Sequence, residues 1–174
     1  MADLPDTLAF ERHRDLEPRS TGLWARRAIL GLIAAISVLG LANVFGQRPA
    51  TVTVDAPAAS LKLYAPERLR GGLLFMARFH VFAHEDLEHA TLVLDPGWAE
   101  AITINTIAPS PVSETSRDGR LVFDLGPIRA GRSYILFMDF QVNPTNVGRR
   151  SQDVDLLDGD VPILHIDRTV TIFP

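Results

Sequence analysis

The sequence predicts an antiparallel β-sandwich of seven or eight strands behind one membrane-spanning helix, and three observations carry that reading. Residues 28–45 contain no charged side chain. Further along the chain, apolar residues recur at every second position in several short runs, the spacing that places them on one face of a strand. Gly, Pro, Asn and Asp cluster between those runs, and none of the runs keeps a helical period.

The helix comes first. At about 1.5 Å per residue the uncharged run reaches roughly 27 Å, close to the hydrocarbon thickness of a bilayer. Gly46 and Gln47 extend it without a charge, so the span is placed at 24–47. Arg12, Arg14, Arg19, Arg26 and Arg27 precede the uncharged run, and Arg48 alone follows it closely. The excess of basic residues puts the N-terminus in the cytoplasm and the large C-terminal part outside. Trp24 stands where an interfacial aromatic would lie. A cleaved signal peptide has a shorter apolar core, about 7–15 residues, and a small-x-small site after it. Residues 43–49 offer no such site, so the segment reads as an uncleaved signal anchor. Gly31 and Ala35, a small-xxx-small pair, would let two such helices approach and form a homodimer. Residues 1–23 carry Pro5, Pro18 and alternating charges with little to bury, and are expected to be a disordered cytoplasmic tail.

Composition narrows the class. The chain has no cysteine, which excludes disulfides, thiolate metal sites and thiol nucleophiles. The exterior part must therefore rest on its hydrophobic core, which a domain of this length can supply. The one Asn-x-Thr triplet, Asn143-Pro144-Thr145, has the proline that forbids glycosylation. A bacterial plasma membrane, with the C-terminal domain periplasmic or extracellular, is the simplest home. A formal charge of −4 and a pI near 5.7 argue against a nucleic-acid partner. Nothing points to a cofactor.

Residues 48–60, with Pro49, Pro57 and Thr51-Val52-Thr53-Val54, form a linker or a first strand, and the domain proper is expected over 61–174. Residues 61–64 make a short strand closed by Pro66 and Gly71-Gly72. The strongest strand is 73–83, in which Leu73, Phe75, Ala77, Phe79, Val81 and Ala83 share a face that must be core. Residues 91–94 make another, ended by a turn at Asp95-Pro96-Gly97. Residues 101–107 alternate less cleanly, and Pro109 and Pro111 then break the ladder. Arg117-Asp118-Gly119 reads as a hairpin turn into Leu121, Phe123 and Leu125 on one face. A turn over 126–131 leads to a strand over 133–142, with Tyr134, Leu136, Met138, Phe140 and Val142 on its core face. Two more runs, 153–157 and 163–173, complete an all-β domain.

The stretch Asp118-Gly119-Arg120-Leu121-Val122-Phe123-Asp124-Leu125-Gly126-Pro127-Ile128-Arg129-Ala130-Gly131-Arg132-Ser133 resembles the strand, leucine-glycine turn, alanine-glycine turn and long strand of the conserved-repeat, immunoglobulin-like modules of bacterial cell-surface proteins. Leu94-Asp95-Pro96-Gly97-Trp98 is similar to another turn of those modules. The resemblance covers about residues 61–173. It implies an immunoglobulin-like sandwich with a spacer, adhesion or partner-binding role, and it brings no catalytic residues. The usual ending of the family's second strand is replaced here by residues 80–88, and only one module is present.

Those residues form the richest polar cluster: His80, His84, Glu85, Asp86, Glu88 and His89. A divalent metal held by His80, His84 and His89 is chemically conceivable. Two strand positions four apart lie about 13 Å from each other, too far to share one ion without a bulge. Asp153, Asp155, Asp158 and Asp160 lack the register of a calcium loop. No serine stands in a nucleophile-elbow context, and an enzyme is not expected. The more telling anomaly is apolar. Leu74, Met76 and Phe82 occupy the non-core positions of the strongest strand, and Ile135 and Phe137 those of the later long one. Bare apolar patches are rare on monomers, so either the chain's own loop over 98–111 covers these residues or a membrane or envelope protein does.

Overall fold

The computed structural model describes residues 20–44 and 46–174, in two compact units divided after residue 44. The tail expected over 1–23 lies outside the described residues as far as residue 19.

The first unit is one helix, α1 (Ser20–Leu41). It is the one helix among the described residues long and apolar enough to cross a membrane, over Gly22–Leu41. Its 22 residues reach about 33 Å. The helix both starts and stops earlier than the uncharged run suggests. Asn43 takes a left-handed φ of 52°, its N–H bonds Gly40 O at 2.9 Å, and Val44 N–H bonds Leu39 O at 3.1 Å. These are the two bonds of a Schellman cap, and asparagine tolerates the left-handed position better than most residues. Arg26 and Arg27 consequently fall inside α1. The Arg27 guanidinium lies 5.7 Å from the centre of the Trp24 ring, an aromatic-basic pair suited to an interface.

The second unit is all β, with thirteen strands among the described residues. One five-stranded sheet holds β1 (Pro49–Asp55), β2 (Ala59–Pro66), β4 (Leu74–Ala83), β9 (Ser133–Val142) and β6 (Ile102–Ala108), in the order β1-β2-β4-β9-β6. The other holds β5 (Leu87–Leu94), β7 (Ser113–Arg117), β8 (Arg120–Ile128), β11 (Val154–Asp158) and β12 (Val161–Ile166), in the order β12-β11-β5-β8-β7. Pairing within both sheets is antiparallel. A third sheet, β10 (Gly148–Ser151), β13 (Thr169–Phe173) and β3 (Arg68–Arg70), closes one end of the sandwich, and its β13-β3 pair is parallel.

The strand count exceeds the expected seven or eight because short edge and end strands carry little apolar signal. All five residues of β7 are exposed, and β3 and β10 are only three and four residues long. Residues 49–55, left between linker and strand on sequence, pair along their length with β2. The alternation places the core well. Phe75, Ala77, Phe79, Val81 and Ala83 of β4 are buried, as are Leu136, Met138, Phe140 and Val142 of β9. They meet Leu92, Leu94, Phe123, Leu125 and Leu156 from the facing sheet in one cluster. Leu73 departs from the pattern: it precedes β4 and is 47% exposed, because the strand ladder starts one residue later.

Trp98, fully buried in the 3₁₀ turn Pro96–Trp98, packs its ring 5.4 Å from Phe79 and 5.5 Å from Phe140. Its indole N–H bonds Gln152 O at 2.9 Å, and the Gln152 side-chain amide bonds Gly97 O at 3.3 Å. Arg168 completes this polar knot. It is buried over the Trp98 ring, donating to Gln152 Oε1 at 2.6 Å and to Pro66 O. Burial pulls its pKa down to about 10, with Glu67 pulling weakly the other way, so the guanidinium stays charged and its hydrogen bonds tie β2 to the loop before β13.

Candidate functional site

The five apolar residues singled out on sequence do share one face, the outer face of the first sheet. On β4 they alternate with the buried set, and the β4-β9 register sets Met76 opposite Asp139, Arg78 opposite Phe137, and His80 opposite Ile135. Leu74 is 61% exposed, Met76 42%, and Ile135 and Phe137 38% each. Phe82 is only half-buried, its ring 5.2 Å from the His84 imidazole in an edge-on contact. Because directly opposed positions pair apolar with polar, the apolar side chains touch on diagonals. They form a broken strip edged by Arg78, His80, Asp139 and Gln141. The segment expected to cover this face does something else. Residues 102–108 form β6, the edge strand beside β9 in the same sheet, so they flank the strip. A shallow depression of about 470 Å³ opens beside it, lined by Leu74, Met76, Asn105, Thr106 and Asp139.

The histidines do not gather. His80 lies between Lys62 and Ile135 on that outer face, with its Nε2 buried and without a hydrogen-bond partner among the described residues. His84, just beyond β4, sits 2.8 Å from Asp55 through Nε2. His89 is on β5 in the other sheet, where its backbone N–H bonds Asp158 at 2.7 Å. Among the described residues, no three or more His, Asp or Glu side chains are grouped to hold a metal ion. The acidic run is also dispersed: Asp153 accepts the Arg168 backbone N–H and Asp158 that of His89.

A second concavity was not legible in the sequence. The outer face of the second sheet holds a trough of about 510 Å³ with a floor of Thr91, Val93, Val122 and Leu157 and a rim that includes Arg117, Arg120 and Asp155. Arg120 reaches Asp95 at 2.9 Å and also pairs with Asp155, whose other oxygen is 2.6 Å from His165 Nδ1. Burial disfavours the Asp155 carboxylate, but hydrogen bonds from His165 and Arg120 outweigh it and hold its pKa below the ordinary value. The same hydrogen bond holds His165 above its ordinary value against partial burial. Arg120 is half-exposed; burial works against its charge, and the two carboxylates more than compensate. The three groups satisfy one another, so the trough presents a neutralised rim over an apolar floor. Arg120, Asp155 and His165 come from strands up to 45 residues apart, and only the register brings them together.

No family model and no curated protein matches the chain. Among solved structures it is similar to an inactive mutant of the GH20 exo-β-N-acetylglucosaminidase from Vibrio harveyi, at 15% identity and a TM-score of 0.33, covering 73% of this chain and 18% of that one. The same enzyme in complex with N-acetylglucosamine gives 14% identity and a TM-score of 0.27 over the same shares. The chain thus spans less than a fifth of that enzyme's length, and a likeness this slight says nothing of activity or ligand here.

Proposed function

We propose that the chain is a single-pass bacterial plasma-membrane protein whose extracytoplasmic β-sandwich binds or positions another membrane or envelope protein and catalyses no reaction. The observation that carries this reading is the outer face of the first sheet, where Leu74, Met76, Ile135 and Phe137 stand exposed with none of the described residues over them. Exposed apolar strips with a polar border are what protein partners cover. Supporting the location are the length and apolar character of α1 and the arginines ahead of it, which favour a cytoplasmic N-terminus. The resemblance of residues 118–133 to immunoglobulin-like surface modules favours the same class of role.

The experiment places a photo-crosslinking side chain at Met76 in the full chain, in cells, and follows the products. A discrete cross-linked membrane or envelope protein is expected, and it should disappear when Ile135→Ser and Phe137→Ser are introduced beside the cross-linker. Both positions are exposed, so that variant should lose no more than about 1 kcal/mol of stability in all. Cross-linking that yields no discrete partner would leave a passive envelope spacer. A partner whose capture survives both substitutions would move the site to another face. Orientation is read separately: a reporter active only outside the cytoplasm should work when fused after Pro174, and silence there would overturn the topology.

A further inference from the structure

The outer face of the first sheet carries two matching features on either side of one line. The line joins Met76 and Phe137, which sit diagonally across the β4-β9 ladder, and the register puts Arg78 and Asp139 at the other two corners of the same quartet. Strands about 4.8 Å apart and a step of about 6.8 Å for every second residue make that quartet a near-rectangle. On one side of the line Arg78 lies 5.3 Å from the centre of the Tyr64 ring, its neighbour across the β2-β4 ladder. On the other side opens the depression of about 470 Å³ whose lining includes Asp139, Asn105 and Thr106. Neither Arg78 nor Asp139 forms an ion pair among the described residues. The other titratable groups that these strands turn to the same face are Lys62 and His80, on the Arg78 side, and Asp55 at the far corner, where His84 already holds it at 2.8 Å.

We propose that the occupant of this face is a second copy of the same chain, seated by a two-fold rotation about the line from Met76 to Phe137. The inference rests on the reading of the face as a partner surface, and it names the partner. Half a turn about a line lying in the face sets Met76 on its own counterpart and Phe137 on its own, and it exchanges the two sides. Arg78 of each copy then comes over the partner's Asp139, and the stacked Arg78 and Tyr64 enter the partner's depression. Tyrosine and arginine are the side chains that most often anchor an interface in this way. Ile135 comes over the partner's Ala108, an exposed residue of the edge strand β6. Lys62, one strand further out, stays at the rim in water. A self-match of this kind requires a cation and a carboxylate at equal distances on opposite sides of an apolar axis, and the quartet supplies both. The size is also sufficient. Five strands of seven to ten residues give a face of about 24 by 28 Å, roughly 650 Å² per copy. Two copies would cover about 1,300 Å², within the range of a standard interface.

The test co-expresses two differently tagged copies of the full chain, each with the photo-crosslinking side chain at Met76. A product that carries both tags is expected. The same side chain at Glu114, on the edge strand of the second sheet, should give little, and an equal yield there overturns the proposal. Arg78→Asp in both copies, or Asp139→Arg in both, should lower the product about tenfold or more, because like charges then meet at two points. Arg78→Asp in one copy with Asp139→Arg in the other should restore it, since that combination regains opposite charges at both contacts. Mixing does not mend a misfolded chain, so restoration is a signature of the interface. Thr106→Trp, at an exposed position of the depression, should block the product with Arg78 intact, which keeps the proposal refutable if a variant at residue 78 folds poorly. Single substitutions that leave the yield unchanged, as in a dimer held only through Gly31 and Ala35, overturn the proposal, and so does a mixture of two folded variants that yields no product. A discrete cross-link to a different protein alone overturns it but leaves the partner surface standing, and the absence of any product overturns both.

Discussion

Replacing Gly97 with alanine tests whether the closed end of the sandwich is packed as described. A Cβ at residue 97 would lie 1.9 Å from Ser151 O and 2.9 Å from Ser151 C, where ordinary contact begins at 3.4 Å. Both atoms are backbone of β10, so no side chain can rotate away. Some 1.5 Å of displacement must be absorbed by the 3₁₀ turn or by β10. Either movement strains the bond from the Trp98 indole to Gln152 O and that from the Gln152 amide to Gly97 O, each worth about 1 kcal/mol net. Overpacking adds about 1–3 kcal/mol, so the loss should be about 3–5 kcal/mol, a large share of a domain's stability. The assay is urea unfolding of the full chain in detergent in a Trp24→Phe background, which leaves Trp98 as the sole tryptophan reporter. Gly131→Ala is the comparison. That glycine has a φ of +73° and open space around its Cβ direction, so alanine there meets only the left-handed backbone cost, about 1 kcal/mol. A Gly97→Ala loss no greater than that of Gly131→Ala would refute the close approach of the turn to β10.

Two further outcomes are expected. Phe79→Ala, at a fully buried position against Trp98, should cost about 3–5 kcal/mol in the same assay, while His80→Ala on the outer face should stay within about 0.5 kcal/mol; equal losses would mean that the strand is buried on both sides. His165 should titrate above its ordinary 6.5 by NMR and return toward it in Asp155→Asn, and a midpoint that does not move would break the pair. Because the folded pKa is raised, the stabilisation is fully present below 6.5 and fades as pH rises through the raised value, and the exposure of His165 keeps it under about 1 kcal/mol. The lowered Asp155 acts in the opposite window: its contribution is present above its ordinary value of 3.8 and is lost as pH falls through the lowered one.

The sequence alone was enough for the all-β class, the single apolar helix and the core faces of β4 and β9. Each depends on a local period, and burying one face of a strand imposes that period on the residues themselves. Hairpin turns were equally legible: Asp118 and Gly119 take φ of 53° and 78° between Arg117 and Arg120, the conformation that the Asp-Gly pair favours. Short polar strands such as β7 and β10 were not, since an exposed edge asks nothing of its side chains beyond solubility. The sequence also named Leu74, Met76, Ile135 and Phe137 as apolar residues on the wrong face. Whether they were covered was a question of which strand lies beside which, and the placement of β6 at the sheet edge answered it. The Arg120–Asp155–His165 cluster belongs wholly to the tertiary structure. Long-range register brings together charges that no periodicity within a segment encodes.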